Sequence, residues 1–422
     1  MPPRLPALIA DPPPSEERLW LTNARLLDGT GAAARDGVSL LVESGRIARL
    51  GSATDAAPEG ATTIDLAGRT LLPGLVDSHA HVGGAFDVPA PLKGAEPLLP
   101  GTTAHVLAAE LQAALRMGIT TIRDVGSIGD IVVEARQAMR YGAFDGPRVL
   151  TCGRIVSPTA PGGRFFAGMY READGPDDVR RAVREQLRYG ADVVKVMTTG
   201  ARSVELEDPD PAQLTREELE ALVDETHRMG YRVCAHCEGL AGTELAIDAG
   251  IDTIEHGMYL NQRPDLLERM AANGQVLVPT LSFLIGIPKA GPCVWSPLLV
   301  ELGEHNVEQA RLTLVAARAA GVTIAMGYDS APLRSAANEL LALIEFGLTP
   351  AEALVAATSA GAAALGLRDQ IGTVEAGKLA DLLVVDGDPL SEPRVLCDRD
   401  RIWLVLRLGK PVAGTALETS VA

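Results

Sequence analysis

Cysteine, basic charge, aromatic rings and long apolar runs are all in short supply in this chain of 422 residues. Five cysteines are few and odd in number, which argues against a disulfide framework and for a reducing compartment with free thiols. Lys and Arg number 38 against 55 Asp and Glu, a formal net charge of −17. Such a field repels phosphate backbones and anionic lipid, so a nucleic-acid or membrane-surface role is disfavoured and a small-molecule partner is expected. The only apolar piece near the N-terminus runs from Leu5 to Ala10 between prolines, too short for a signal-peptide core or for the ~20 apolar residues of a membrane span. A cytoplasmic protein is expected, with residues 1–18 as a flexible lead-in. Aromatic residues make up 4% of the chain while 47% is hydrophobic, a balance that suits a large buried α/β core rather than a disordered chain. Homo-oligomerisation is left open.

The length fits one large unit plus a smaller accessory one. Residues 19–72 hold short β-like runs bounded by Gly, Asp and Pro, which read as part of a small sheet. From Leu75 to about Asp329 β-rich runs alternate with amphipathic helical stretches, the pattern of βα units on a parallel sheet. Eight candidate strands begin at Leu75, Ile119, Arg148, Ala191, Tyr231, Asp252, Gln275 and Val322. Eight such strands favour a closed (β/α)8 barrel over residues 73–369. Residues 370–422 read as strands again and are expected to return to the N-terminal sheet as an accessory β-domain.

A barrel demands that reactive side chains stand at the C-terminal ends of its strands. His79 and His81, two apart after the first run, would share one face with Asp77, where two imidazoles can hold one metal ion. Lys195 sits in the apolar run VVKVM, where a bare ammonium is costly to bury unless it snorkels or is chemically altered. His236, His256 and Asp329 close the fifth, sixth and eighth runs. His105, His227 and His305 fall on helices or loops and read as ordinary residues. Cys234 and Cys237 flank His236, but strand parity sends them to opposite faces, Cys234 inward and Cys237 beneath a helix, which argues against a redox pair.

These residues, with the motifs LLPGLVDSHAH (71–81) and GTVEAGKLADLLVVD (372–386), resemble the binuclear branch of the amidohydrolase superfamily across nearly the whole chain. KVMTTG, AHCEG and IEHG are most similar to the branch with bacterial Xaa-Pro dipeptidases (prolidases), imidazolonepropionase-like proteins and ochratoxin-degrading amidohydrolases. The resemblance implies two divalent ions, zinc by preference with Mn or Co as substitutes. His79, His81 and Asp329 would bind one and His236 and His256 the other, with Lys195 shared as a carbamate formed from CO2 or bicarbonate. It further implies hydrolysis of an amide bond in a dipeptide or N-acyl amino acid by a metal-bridging hydroxide, with Asp329 as general acid–base.

Three positions depart from the dipeptidase pattern and bear on substrate: Glu238 in place of a Tyr, Arg164 in place of a His after two glycines, and Tyr328 in place of a small residue. Arg164 is a candidate anchor for a substrate carboxylate. Glu238 is a candidate for a substrate amine or leaving group, and Tyr259 or Tyr328 for an oxyanion donor. Neutral carbamates, ureas or aryl amides are the alternative substrates. A deaminase is disfavoured because its Glu would stand three residues after the fifth-strand His, and a metal-free scaffold because the ligand set is complete.

Overall fold

The structure is a computed structural model that describes residues 11–83, 99–166, 168–204, 206–292 and 294–418. Five short strands come first: β1 (Leu19–Leu26), β2 (Arg35–Glu43), β3 (Arg46–Ser52), β4 (Thr62–Asp65) and β5 (Thr70–Pro73). Ten follow in the central part: β6 (Leu75–Ala80), β7 (Ile119–Asp124), β8 (Arg148–Thr151), β9 (Ile155–Ser157), β10 (Tyr170–Glu172), β11 (Val193–Met197), β12 (Arg232–Cys237), β13 (Thr253–His256), β14 (Val276–Val278) and β15 (Thr323–Ile324). The last are β16 (Leu382–Val385), β17 (Ile402–Arg407) and β18 (Lys410–Ala413). The C-terminal strands enter the N-terminal sheet, whose order is β18-β17-β16-β5-β1-β2-β3 with β4 on β1. Leu21, Leu40, Leu71, Val384 and Leu404 share its core.

The central strands are parallel, as βα alternation requires, and form two ladders, β6-β7-β8 and β10-β9-β11-β12-β13-β14-β15. One continuous closed ladder, the expectation from eight runs, is not formed among the described residues. The third run breaks at Cys152–Arg154 into β8 and β9, and the eighth pairs over Thr323–Ile324 alone. Isolated backbone bonds cross the two gaps: Asp192 N–H to Thr151 O at 2.8 Å, Ser78 N–H to Met326 O at 2.8 Å and Asp329 N–H to His79 O at 2.8 Å. Gly327 makes the last approach possible, because a Cβ there would lie 2.7 Å from that of His79.

Helices cover the outer face. Arg216–Arg228 starts in a capping box of Thr215 and Glu218, and buries Leu219, Leu222, Val223 and Thr226, the face its periodicity predicts. These side chains meet Val194, Val196, Val233, Ala235 and Cys237 in one apolar layer. The period of two therefore sends Val193, Lys195 and Met197 of β11, and Cys234 and His236 of β12, to the inner side. The expected flexible lead-in lies outside the described residues for 1–10, whereas 11–18 are held. The Asp11 carboxylate meets Arg148 and Arg407, and Ser15 N–H donates to Leu408 O.

Candidate metal and substrate site

His79, His81, Lys195, His236, His256 and Asp329 converge on one cavity of about 220 Å³. Ring centroids lie 5.4 Å apart for His79 and His81, 5.1 Å for His79 and His256, and 4.5 Å for His236 and His256. The Asp329 carboxylate stands among them, 3.4 Å from His79 Nε2, 3.3 Å from His81 Nε2 and 3.9 Å from His256 Nδ1. Backbone strain collects here. His256, Thr280 and Asp329 hold φ of 65°, 50° and 47°, a left-handed conformation that non-glycine residues keep only where their surroundings enforce it.

Each imidazole commits one nitrogen to the protein. His79 Nδ1 meets Glu255 Oε2 at 2.7 Å and His256 Nδ1 meets Thr280 Oγ1 at 2.7 Å. His81 Nδ1 meets Gly126 O at 2.9 Å and His236 Nε2 meets Gly200 O at 3.2 Å. A carbonyl only accepts, so the last two nitrogens carry protons and, in a neutral ring, the other nitrogen is the one available to a metal ion. Glu255 is in turn bound by Arg123, NH2 to Oε1 at 2.8 Å. Orienting partners of this kind are what metal-ligating histidines require.

Electrostatics point the same way. Burial pushes His81 down to about 4 against the pull of Asp329. Burial, then His236 and His79, holds His256 well below the ordinary imidazole range. Both stay neutral, as ligands must. His79 is raised: burial lowers it, but Asp329 and the bonds to Asp329 and Glu255 outweigh that. Burial would raise Asp329, yet His79, His81 and Lys195 bring it below its usual value, so it is a carboxylate at neutral pH.

Within the cavity, the buried Lys195 Nζ has no hydrogen-bond partner. Lys195 is 2% exposed, and an unpaired ammonium there carries a cost of several kcal/mol. The ligand atoms of His79, His81 and Asp329 lie within 4.8 Å of one another, and so do those of His236, Glu238 and His256. Imidazole and carboxylate donors, the neutral His81 and His256 rings and the unpartnered Lys195 Nζ fit two divalent ions.

The other predicted residues are divided by position. Glu238 lines the cavity; its Oε2 accepts from Arg202 N–H at 2.5 Å and lies 3.5 Å from His236 Nε2. Arg164 is exposed and lines an outer groove of about 1150 Å³ instead. Tyr259 and Tyr328 line neither space. The Tyr259 hydroxyl donates to Asn306 Oδ1 at 3.0 Å beneath Arg202. Tyr328 turns away because its neighbour Asp329 points inward, and its ring packs in the core with the hydroxyl facing Ser330 and Ser335. Asp77 is also turned from the cavity: its Oδ1 accepts from the Tyr328 and His79 N–H groups, and burial raises it to about 7. Cys234 faces inward and Cys237 the helices, with thiols that burial raises to about 11 and about 12.

Sequence reasoning missed Arg123 and Glu255, although a carboxylate inside the apolar run DTIEH poses the same burial question as Lys195. It missed the ring-lined walls too, for Phe165, Phe166, Tyr170, Phe283 and Trp295 all line the cavity.

The sequence profile of the amidohydrolase family matches residues 70–412. The chain belongs to this family. This amidohydrolase is a hydrolytic enzyme, and the family is as a rule metal-dependent. It is 31% identical to ochratoxinase of Aspergillus niger over 93% of its own length and 86% of that protein's. The solved A. niger ochratoxinase superposes with a TM-score of 0.84, covering 94% of this chain and 96% of that one at 29% identity. A Xaa-Pro dipeptidase solved with methionine bound in its active site gives a TM-score of 0.84 at 26% identity, over 94% and 100% of the two chains. Imidazolonepropionase of Salinispora tropica is 29% identical over 87% of this chain and 90% of its own length.

Proposed function

We propose that this amidohydrolase cleaves an amide C–N bond in a small molecule of the dipeptide or N-acyl amino acid class, using two divalent ions. His79, His81 and Asp329 would hold one and His236 and His256 the other, and Lys195 would serve as a ligand in the form of a carbamate. The single observation that carries this is the buried, unpartnered Lys195 Nζ among four imidazoles and a carboxylate. The ammonium first loses one proton; addition of CO2 to the resulting amine then forms an N–C bond, releases a second proton and leaves anionic oxygens where a stranded cation stood. Zinc suits the donor set, with Mn or Co as substitutes. When bound, such ions polarise a carbonyl oxygen and acidify a water molecule toward neutral pH.

The protein's own groups supply the rest. Asp329, ionised at neutral pH, accepts the proton of the attacking water and returns it to the leaving nitrogen. Glu255, anchored by Arg123, fixes the His79 ring, and Gly126 O fixes His81. Glu238 receives a donor on the substrate, and Arg164 meets an anionic group that extends into the outer groove. The reading includes a (β/α)8 barrel at residues 73–369 with accessory segments 19–72 and 370–422. It also includes a cytoplasmic setting, supported by the free thiols of Cys152, Cys234, Cys237 and Cys397. Among the described residues no helix is long and apolar enough to cross a membrane.

A second reading, hydrolysis of neutral carbamates, ureas or aryl amides, is favoured by one observation: the inner cavity is walled by rings, and Arg164 stands outside it. Metal-loaded enzyme should be screened against dipeptides, N-acyl amino acids and aryl amides with Lys195→Ala beside it. The variant should lose most metal and activity; two-metal occupancy with normal turnover would overturn the reading. Release of ammonia alone would return it to deamination.

A further inference from the structure

The chain holds six Phe, six Tyr and three Trp in 422 residues, yet five of these rings wall the inner cavity. They come in two clusters from segments far apart in sequence. Phe165 meets Phe166 edge to face at 4.7 Å, and Phe166 stacks on Tyr170 at 5.5 Å. Phe283 meets Trp295 edge to face at 6.0 Å. Core packing does not account for Phe165, which is 57% exposed. An exposed large ring at the mouth of a cavity is the unusual observation, since burial is where such rings stabilise a fold.

Phe165, Ser203 and Trp295 line both the inner cavity and the outer groove. They therefore stand at the passage between the two spaces. The groove beyond mixes polar side chains with exposed apolar ones: Leu206 is 83% exposed and Val294 58% exposed, and both line it. Its cation, Arg164, makes no side-chain ion pair or hydrogen bond among the described residues.

We infer that Phe165 and Trp295 are specificity-determining residues that clamp a flat aromatic part of the substrate at this passage. The scissile bond then lies among the histidines, and the substrate extends past the rings into the outer groove. The inference rests on the amide-hydrolase reading and narrows its substrates to aryl-bearing amides larger than the inner cavity. An aliphatic group of equal size fills the passage but cannot make offset or edge-to-face ring contacts, which add affinity beyond area burial.

Titration calorimetry on metal-loaded protein should compare 2-naphthoate with an aliphatic carboxylate of equal carbon number. Two ring contacts predict on the order of tenfold tighter binding of the naphthoate. In Phe165→Ala/Trp295→Ala that ratio should collapse toward one, while Tyr141→Ala, an exposed ring that lines neither space, should keep it. Circular dichroism establishes that the variants are folded. Equal affinities in the unsubstituted enzyme, or a ratio that survives in the double variant, would overturn the clamp. Turnover of N-acetyl and N-naphthoyl amino acids is read separately: hydrolysis of neither would sink the amide-hydrolase reading, and the binding ratio would still decide the clamp.

Discussion

At the residue scale, Glu255 and Asp329 divide the work of the site. Glu255 bonds His79 and Arg123 and does not line the metal-site cavity, so its role is one of positioning. In Glu255→Gln the His79 ring loses its anionic partner and Arg123 its counter-charge, and metal affinity should fall about 10–100-fold. Competition with a graded chelator series measures this; unchanged affinity would mean that His79 is held by packing alone. Asp329 is different: it is ionised at neutral pH, belongs to the first donor cluster and is the proposed proton acceptor. Asp329→Asn should lower kcat by several orders of magnitude. A loss below about tenfold would assign the base to another group.

At the scale of elements, the helices Leu281–Ala290 and Asn338–Glu345 are joined by one buried carboxyl. Glu339 accepts from Leu281 N–H and Ser282 N–H, both at 2.7 Å. Burial pushes it up to about 7 from 4.5, more than these bonds lower it. The folded chain therefore binds one more proton than the unfolded chain between those values. Stability from this group is complete below about 4.5 and is lost as pH rises through about 7. The loss is about 3 kcal/mol. Urea denaturation at pH 4.5 and pH 8 should show a fall to which buried Asp77 also contributes, and in Glu339→Gln the difference should shrink by about 3 kcal/mol. Equal pH dependence in the two proteins would show that Glu339 titrates normally. Elements also limit what can be read from sequence. The eighth run promises a full strand, but only Thr323–Ile324 pairs, because the chain then turns to bring Asp329 N–H to His79 O.

At the scale of the molecule, a buried charge cluster joins the accessory sheet to the parallel strands. Arg148 on β8 meets Asp381 at 2.5 Å and Asp11 at 2.7 Å, and Arg407 on β17 also meets Asp11. Asp381 further accepts from Leu408 N–H at 2.8 Å. Asp381→Ala leaves the Arg148 guanidinium buried with half its counter-charge, at a cost of about 3–5 kcal/mol in denaturant unfolding. Arg148→Met with Asp381→Leu should recover most of that, since a packed apolar pair avoids both desolvation penalties. A double variant as unstable as the single one would show that the ion pairs themselves hold the two parts together.

The metal-ligating candidates were legible because they obey local rules. Parity of two puts Lys195 and His236 on the inner side, and the cost of burying an ammonium singles out Lys195 whatever surrounds it. The same parity excludes Tyr328 as an oxyanion donor, because two adjacent residues cannot both face the cavity once Asp329 does. Pairings over long separations were not legible: His79 with Glu255 lies 176 residues apart, and Phe165 shares its passage with Trp295 from another segment. The sequence by itself determined the alternation of strands and helices, the inward faces and the chemistry of the donors, since these follow from periodicity and desolvation within a few residues. Only the tertiary structure decided which carboxylate orients which imidazole, which rings wall the cavity and that Arg164 stands outside it. Those depend on where separate loops meet, and no local spacing encodes that distance.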